Sequence, residues 1–396
     1  MTAYEHLGEA LGTDFFSVRD QFTGEQWDRF IAVRTFVDEE VLPDIGAYWE
    51  KAELPWHLFR RLPELKIVGE DIDGYGAAGM SPMACGLVHM ELHRGDGSLG
   101  TFLGVHAGLA MQSIAMCGSE EQRQRWLPSM STLDKIGAFA LTEPEHGSDS
   151  IALQTTARRD GDHWVLDGVK RWIGNGTIAD LVVVWARDTD SGDVRGFVVE
   201  TPTQGYDASV ITGKVSLRSV WQADVRLTGV RVPQENRLVN ATTFKDCATV
   251  LANTRGVCAW MALGHATAGY DAAMRYAMAR QQFGKPLASF QIVQQRLVHM
   301  LADLTGMQLY CMQIGRLADA GRLSHTVAGL AKMNNTRTAR RILAEARDLL
   351  GGNGILLEHH VVRHWADIES IHTFEGTETM QTLLVGRDIT GISAFA

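Results

Sequence analysis

Residues 163–188 read HWVLDGVKRWIGNGTIADLVVVWARD, and the fold is decided on this stretch. Val, Trp and Ile recur in short runs cut by glycine and aspartate, a composition that suits pleated strands and turns. The runs VRGFVVE (194–200) and ADVRLTGVRVP (223–233) continue the pattern. Asp167-Gly168 predicts a turn inside it. The expectation is an antiparallel barrel or sandwich over residues 137–242.

On either side the periodicity changes. Upstream, TGEQWDRFIAVRTFVDEEVLPDI (23–45) places Trp27, Phe30, Ile31, Val33, Val37 and Val41 at steps of three or four, an apolar helical stripe. Thr23 with Gln26 predicts a capped start, and Pro43 predicts the stop. Ser81-Pro82 predicts a second start, running through MACGLVHMELHR (83–94). Downstream of Pro286 there is no proline, and residues 291–320 and 327–350 carry long helical repeats, the mark of a helix bundle. The chain therefore divides into a helical domain (1–136), a strand domain (137–242) and a helical bundle (243–396). It is mainly α with a central β-domain.

Composition narrows the function. The 396 residues are 45% hydrophobic and 21% charged, with a formal charge of −10, which fits a folded chain and excludes general phosphate-backbone binding. No 18 consecutive apolar residues are found, so no membrane span is expected. Cys85, Cys117, Cys247, Cys258 and Cys311 are dispersed and never paired as CxxC. They are expected as buried thiols, with no metal site. The acid-bearing start MTAYEHLGEALGTDFF reads as neither secretory signal nor transit peptide, and Ser393-Ala394-Phe395-Ala396 is no peroxisomal signal. A cytoplasmic protein is expected.

Five short motifs carry the chemistry. Gly74–Gly79 (GYGAAG) matches a dinucleotide fingerprint in letters, but Glu70, Asp71 and Asp73 precede it and no βαβ alternation follows, so a plain glycine-rich connection is expected. Residues 137–150 (GAFALTEPEHGSDS) put small residues and the hydroxyls of Thr142 and Ser148 in one loop, suited to a flat heterocycle or a pyrophosphate. In KRWIGNG (170–176) an indole adjoins a glycine turn; such a Trp serves as core or as a platform. RQQFGKP (280–286) offers Arg280 either as a phosphate clamp or as a solvated helix end. In HTFEGTET (372–379), Glu375 beside Phe374 is a candidate general base, because desolvation lifts a carboxylate toward neutrality, while Glu378 suits helix capping.

Taken together, and in this order, GYGAAG, CGSEEQRQRWLP (117–128), ALTEPEHGSDS (140–150), KRWIGNG, RQQFGKPL, LLGGNG (349–354) and FEGT resemble the acyl-CoA dehydrogenase flavoproteins over nearly the whole chain. TFEGTETMQTLLVGRDITGISAF and KRWIGN are most similar to the branch holding glutaryl-CoA dehydrogenases and short-chain acyl-CoA oxidases. The resemblance implies an N-terminal helical domain, a β-barrel and a C-terminal four-helix bundle, assembled as a homotetramer that binds FAD. It implies FAD contacts at Phe139, Leu141, Thr142, Ser148, Trp172, Ile173, Gly174, Phe283, Asp348, Gly351, Gly352, Thr377 and Thr379. Arg280 and Gln291 of an adjacent subunit would reach the pyrophosphate. It implies substrate contacts at Gly100, Thr101, Ser148, Leu251, Arg255 and Gly376, and Glu375 as the base. The activity implied is α,β-dehydrogenation of an acyl-CoA, with electrons passed to an electron-transfer flavoprotein.

Two departures refine the expectation. Gly100 and His93 stand where glutaryl-CoA dehydrogenases hold a distal carboxylate with Arg and Glu, and Leu99, Thr101, Phe102 and Leu103 are apolar or small. A short neutral acyl chain is therefore expected. Gly174 replaces a Thr or Ser common in dehydrogenases, which keeps a short-chain acyl-CoA oxidase as an alternative. Glutaryl-CoA dehydrogenation, a non-redox acyl-CoA-binding protein and a nicotinamide enzyme using Gly74–Gly79 are the other readings.

Overall fold

A capping box opens the first helix: the Thr23 hydroxyl accepts from the Gln26 amide while the Gln26 side chain accepts from Thr23 N–H. The computed structural model describes residue 14 and residues 16–395. Most of the N-terminal stretch read for a leader (1–13 and 15), and Ala396, lie outside the described residues. The first domain comprises α1 (Gly24–Phe36), extended by a π-type turn (Val37–Val41), then α2 (Ile45–Lys51), α3 (Pro82–Gly95), α4 (Gly97–Cys117) and α5 (Glu120–Ser131). Phe30, Val33, Val37 and Val41 form the buried stripe of α1, whereas Ile31 falls outside it and is exposed. Ser81 caps α3 and Pro82 occupies its first turn. Residues 74–79 form a connection between turns and α3, with no strand before them.

Helix α4 bears on the expectation of no membrane span. Its length and hydropathy match a bilayer span, because glycine, serine and threonine interrupt the apolar run without adding charge. Yet 72% of its most apolar window is buried inside the protein. It is the core helix of the domain.

The middle domain is one curled seven-stranded sheet: β1 (Gly137–Ala140), β2 (Thr156–Asp160), β3 (His163–Gly174), β4 (Leu181–Asp188), β5 (Val194–Glu200), β6 (Tyr206–Val210) and β7 (Gln222–Pro233). It is a mixed sheet rather than an antiparallel one. β1 and β2 both run parallel to β4 along one edge, while β5 pairs antiparallel along the other. Asp167-Gly168 is no turn. It lies within β3 at a break in register with β7, where Gly168 (φ 156°) leaves room for Thr155, whose Cα would be 2.8 Å from a Cβ at this position. The turn falls instead at Gly161-Asp162.

The C-terminal part is α6 (Phe244–Arg255), α7 (Val257–Ala279), the short strands β8 (Gln281–Gln282) and β9 (Lys285–Pro286), α8 (Gln291–Asp319), α9 (His325–Leu349), α10 (Val361–Thr373) and α11 (Glu378–Thr390). Helices α7 to α10 form a four-helix bundle over a shared core, and α11 packs on α9. Helix α3 lies against α7 so closely that a Cβ at Gly264 would fall 2.1 Å from the Met90 carbonyl oxygen. The buried Arg363–Asp96 pair joins bundle to first domain, and Leu217 N–H donates to Asp367 at 2.6 Å to join sheet to bundle. His106 of α4 fixes the start of β1. Its Nδ1 accepts from Gly137 N–H at 2.8 Å, and its Nε2 donates to the Met130 carbonyl at 3.0 Å. That pattern needs a neutral ring, and burial pushes its pKa down to about 4. All five cysteines are free and buried.

Candidate active site

Helix α10 ends at Phe374, and the chain turns through Glu375 (φ 57°) and Gly376 (φ 86°) before Thr377 caps α11 by accepting from Met380 N–H at 3.3 Å. A non-glycine residue in the left-handed region costs about 1–2 kcal/mol. The surroundings hold it there. The buried ammonium of Lys332, on α9, donates to the carbonyls of both Phe374 and Gly376. Gln381 Nε2 donates to the carbonyls of Glu375 at 3.0 Å and Gly376 at 3.3 Å. Glu375 is thus gripped by backbone on both sides while its carboxylate stays free to face inward.

That carboxylate meets Thr254 of α6, with Oε2 2.9 Å from the Thr254 hydroxyl. The same hydroxyl lies 3.0 Å from the Leu251 carbonyl. Carrying one proton, it donates to an ionised Glu375, or donates to Leu251 and accepts from a protonated Glu375. Burial raises the Glu375 pKa. The Thr254 hydrogen bond and the charges of Lys332 and Arg255 oppose that rise without cancelling it. A carboxylate so placed is equipped to take and hold a proton.

A cavity of about 70 Å³ opens between α3, α4, α6, α7 and α8, with Thr254, Gly108, Gln112, Trp260, Glu70 and Asp71 in its wall. Gly100 and Thr101 are absent from this wall, and Leu99, Phe102 and Leu103 point into the core, where Phe102 stacks on Phe59 at 4.0 Å. The helical period explains the difference: Gly108 and Gln112, two and three turns beyond Gly100, present the face that meets α6. Gly100 is covered by the His93 ring, whose atoms would lie 2.0–2.8 Å from a Cβ there. Burial, followed by His265 and His89, pushes the His93 pKa well down, so the ring is neutral. Arg255 lies near Glu375 with its Nε unpaired among the described residues. Leu251 contributes its carbonyl.

On the sheet, Lys170 organises the loop after β1. Its buried ammonium donates to the Leu141 carbonyl at 3.0 Å and to Glu143 at 2.9 Å. Burial pushes Lys170 down to about 8, with Glu143 opposing. Burial also acts to raise Glu143, but Lys170 and the hydrogen bonds from Thr155 and Gln154 outweigh it and hold the carboxyl at about 2. Arg171 N–H donates to the Thr142 carbonyl at 2.9 Å, which sets Thr142 beside Trp172. Trp172 sits at a break in the β3–β7 register with φ 64°, and its indole is 52% exposed. The bulge turns it out of the core. Gly174, at the strand end, touches Val105 of α4; a Cβ would lie 2.8 Å from Val105 Cγ2. Phe139, Leu141 and Ile173 are core side chains, with Phe139 against Trp185 at 6.1 Å. Ser148 is exposed.

A second group collects at the far end of the bundle. Asp348 lies sixteen residues beyond Lys332 on α9, about 24 Å along a helix rising 1.5 Å per residue. It pairs with Arg296 at 2.8 Å. Asn353 donates to the Tyr276 hydroxyl at 2.9 Å, which brings the Gly351–Ile355 turn against the end of α7, where Arg280 follows. Gly351, Gly352, Arg280 and Gln291 are exposed, and Phe283 is 91% exposed at the tip of the β8–β9 hairpin. Within one chain this group is remote from Glu375. Thr377 caps α11 and Thr379 is exposed on its first turn. Glu378 pairs with Arg337 and His372.

Lys332, Gln381, Thr254 and Gln112 are the residues that sequence reasoning missed. Gln381 stood within the quoted stretch TFEGTETMQTLLVGRDITGISAF, and Thr254 adjoins Arg255.

Three family descriptions match in register with these parts. They are the acyl-CoA dehydrogenase N-terminal domain over residues 25–134, the middle domain over 138–230 and the C-terminal domain over 244–390. The chain is 33% identical over 358 residues to the mitochondrial short-chain specific acyl-CoA dehydrogenase of Rattus norvegicus, covering 89% of this chain and 87% of that protein. Among solved structures, a glutaryl-CoA dehydrogenase of Mycobacterium smegmatis in complex with FADH2 is similar with a TM-score of 0.94 and 38% identity, covering 97% of this chain and 99% of that one. Butyryl-CoA dehydrogenase from Megasphaera elsdenii is similar with a TM-score of 0.89 and 28% identity, covering 93% and 98%.

Proposed function

The chain belongs to the acyl-CoA dehydrogenase family of oxidoreductases, and from that premise we propose that it uses FAD to dehydrogenate a short, neutral acyl-CoA to the trans-2-enoyl-CoA. The observation that carries the reading is Glu375. It is a carboxylate with a raised pKa, fixed by backbone on both sides and paired with a hydroxyl that tolerates either protonation state.

The chain fits the cofactor. Trp172 offers an outward-facing indole beside the Thr142 loop, and Gly174, packed against Val105, adds no side chain next to it. FAD would be held there, and when bound it supplies the hydride acceptor for the β-carbon. Glu375 takes the α-proton onto its carboxylate. Thr254 then keeps the protonated acid oriented by accepting its hydrogen bond. Lys332 stabilises the ionised form before transfer, and keeps the Glu375–Gly376 backbone in its left-handed turn. A thioester α-proton is too weakly acidic for a carboxylate in water, so both desolvation of the base and polarisation of the carbonyl are required.

The neutral acyl preference is supported by His93, an uncharged ring that occupies the space beside Gly100 and offers no charge to a distal carboxylate. We assign an electron-transfer flavoprotein as acceptor and a homotetramer as the working form. The second reading, an oxidase, is favoured by one observation: Gly174 brings no hydroxyl beside Trp172. Anaerobic addition of butyryl-CoA to the flavin-bound protein is expected to bleach the yellow absorbance, and aerobic turnover to need an added acceptor. Absence of bleaching with any short acyl-CoA overturns the proposal. Peroxide formed in step with enoyl-CoA selects the oxidase.

A further inference from the structure

The cavity that reaches Thr254 is acidic on one wall. Glu70 and Asp71 are the charged residues among those lining it, and no Lys, Arg or His lines it among the described residues. The Glu70 carboxylate is buried, and both its oxygens would lie 3.4 Å from a Cβ at Gly108, as would Thr254 Cγ2. Glu70 and the partner of the proposed base therefore flank the same glycine. His89 holds Glu70 in place with Nε2 2.8 Å from Oε1. His89 Nδ1 has no partner among the described residues. Asp71 receives a hydrogen bond from Gln112, and burial in the cavity wall and the neighbouring Glu70 push it up to about 6. The Cys85 thiol in the same wall feels that field: it is pushed well up by burial and then by Glu70, Asp71 and Asp319.

We propose that Glu70, oriented by His89, determines acyl specificity by repelling thioesters that carry a distal carboxylate. The neutral His93 ring over Gly100 offers a dicarboxylic chain no counter-charge; in the cavity itself, whose lining does not include Gly100, Glu70 adds active rejection. An anion entering this low-dielectric space meets a fixed like charge, whereas a methyl terminus meets Trp260, Val257 and Ile314.

This inference rests on the acyl-CoA reading above, and the experiment separates the two. Initial rates of the flavin-bound protein are measured with butyryl-CoA, glutaryl-CoA and the monomethyl ester of glutaryl-CoA, in wild type and in Glu70→Gln. In wild type, the ester should outperform glutaryl-CoA by about tenfold or more in kcat/KM despite its larger size, because it removes only the charge. In Glu70→Gln, the glutaryl-to-butyryl ratio of kcat/KM should rise by about tenfold, chiefly through KM. Equal wild-type rates with glutaryl-CoA and its ester overturn the inference, and that comparison stands even where the variant fails to fold. An unchanged ratio in a folded, yellow Glu70→Gln protein overturns it as well. Turnover of none of the three thioesters overturns the acyl-CoA activity, and this inference with it.

Discussion

At the scale of single residues, the site depends on Glu375 and on the cation that grips its backbone. Glu375→Gln removes the base while keeping size and hydrogen bonding to Thr254. Flavin reduction by butyryl-CoA should fall by about 10³-fold or more, near the upper range for a general base, with the yellow colour retained. Stopped-flow bleaching measures this. Lys332→Met acts differently. It frees two carbonyls and removes a positive charge that opposes the rise in the Glu375 pKa. Because the base must be ionised, kcat/KM should rise with pH through the Glu375 pKa, and in Lys332→Met that limb should move to higher pH. A loss of rate with an unmoved pH limb would leave Lys332 a purely structural role. The Glu375 motif was legible in the sequence because Gly376 breaks a helix beside an aromatic. Lys332 was not: it stands 43 residues away in a regular helical repeat, and nothing in that repeat separates a buried lysine from a solvated one.

At the scale of elements, the order helices, strands, helices follows from hydrophobic period, and the caps at Thr23 and Ser81 follow from the capping residues themselves. Strand direction did not. Parallel pairing of β1 and β2 with β4 depends on which edges meet after long connections, and local composition carries no such information. The Asp-Gly pair misled for a related reason: Gly168 is needed for a close approach to Thr155, and this requirement produces the same dipeptide as a tight turn. Gly100 and Thr101, implied as substrate contacts, lie on α4 before its π-type segment (Gly104–Met111), whereas Gly108 and Gln112 of the cavity wall lie within it and just beyond it. The α4–β3 contact yields a prediction. Gly174→Ser places a Cβ 2.8 Å from Val105 Cγ2, so the single variant should lose stability by about 1–3 kcal/mol, as overpacking does. Adding Val105→Ala should recover most of it. Thermal melts of the two single variants and the double variant, read as a cycle, test whether the two residues compete for one space.

At the scale of the whole molecule, one chain does not bring all the motifs together. Arg280, Phe283, Gln291, Gly351 and Gly352 gather at the bundle end remote from Glu375, and all five are exposed. An apolar ring as exposed as Phe283, with Ile292 and Ile355 also uncovered on the bundle, is a surface suited to another copy of the chain. If Arg280 serves the cofactor of a neighbouring subunit, the site is composite, and complementation distinguishes this from action within one chain. Arg280→Ala subunits keep Glu375 but withhold the arginine from their neighbour; Glu375→Gln subunits keep the arginine but lack the base. Each homogeneous preparation should be nearly inactive with butyryl-CoA, the first through poor FAD retention. Co-refolded or co-expressed, they should regain a fraction of wild-type turnover set by the share of interfaces pairing an intact Glu375 with a neighbour's intact Arg280. Rates that remain at the level of the unmixed variants, in mixtures shown by tagged pull-down to contain both chains, would place Arg280 in the service of its own chain and refute the composite site.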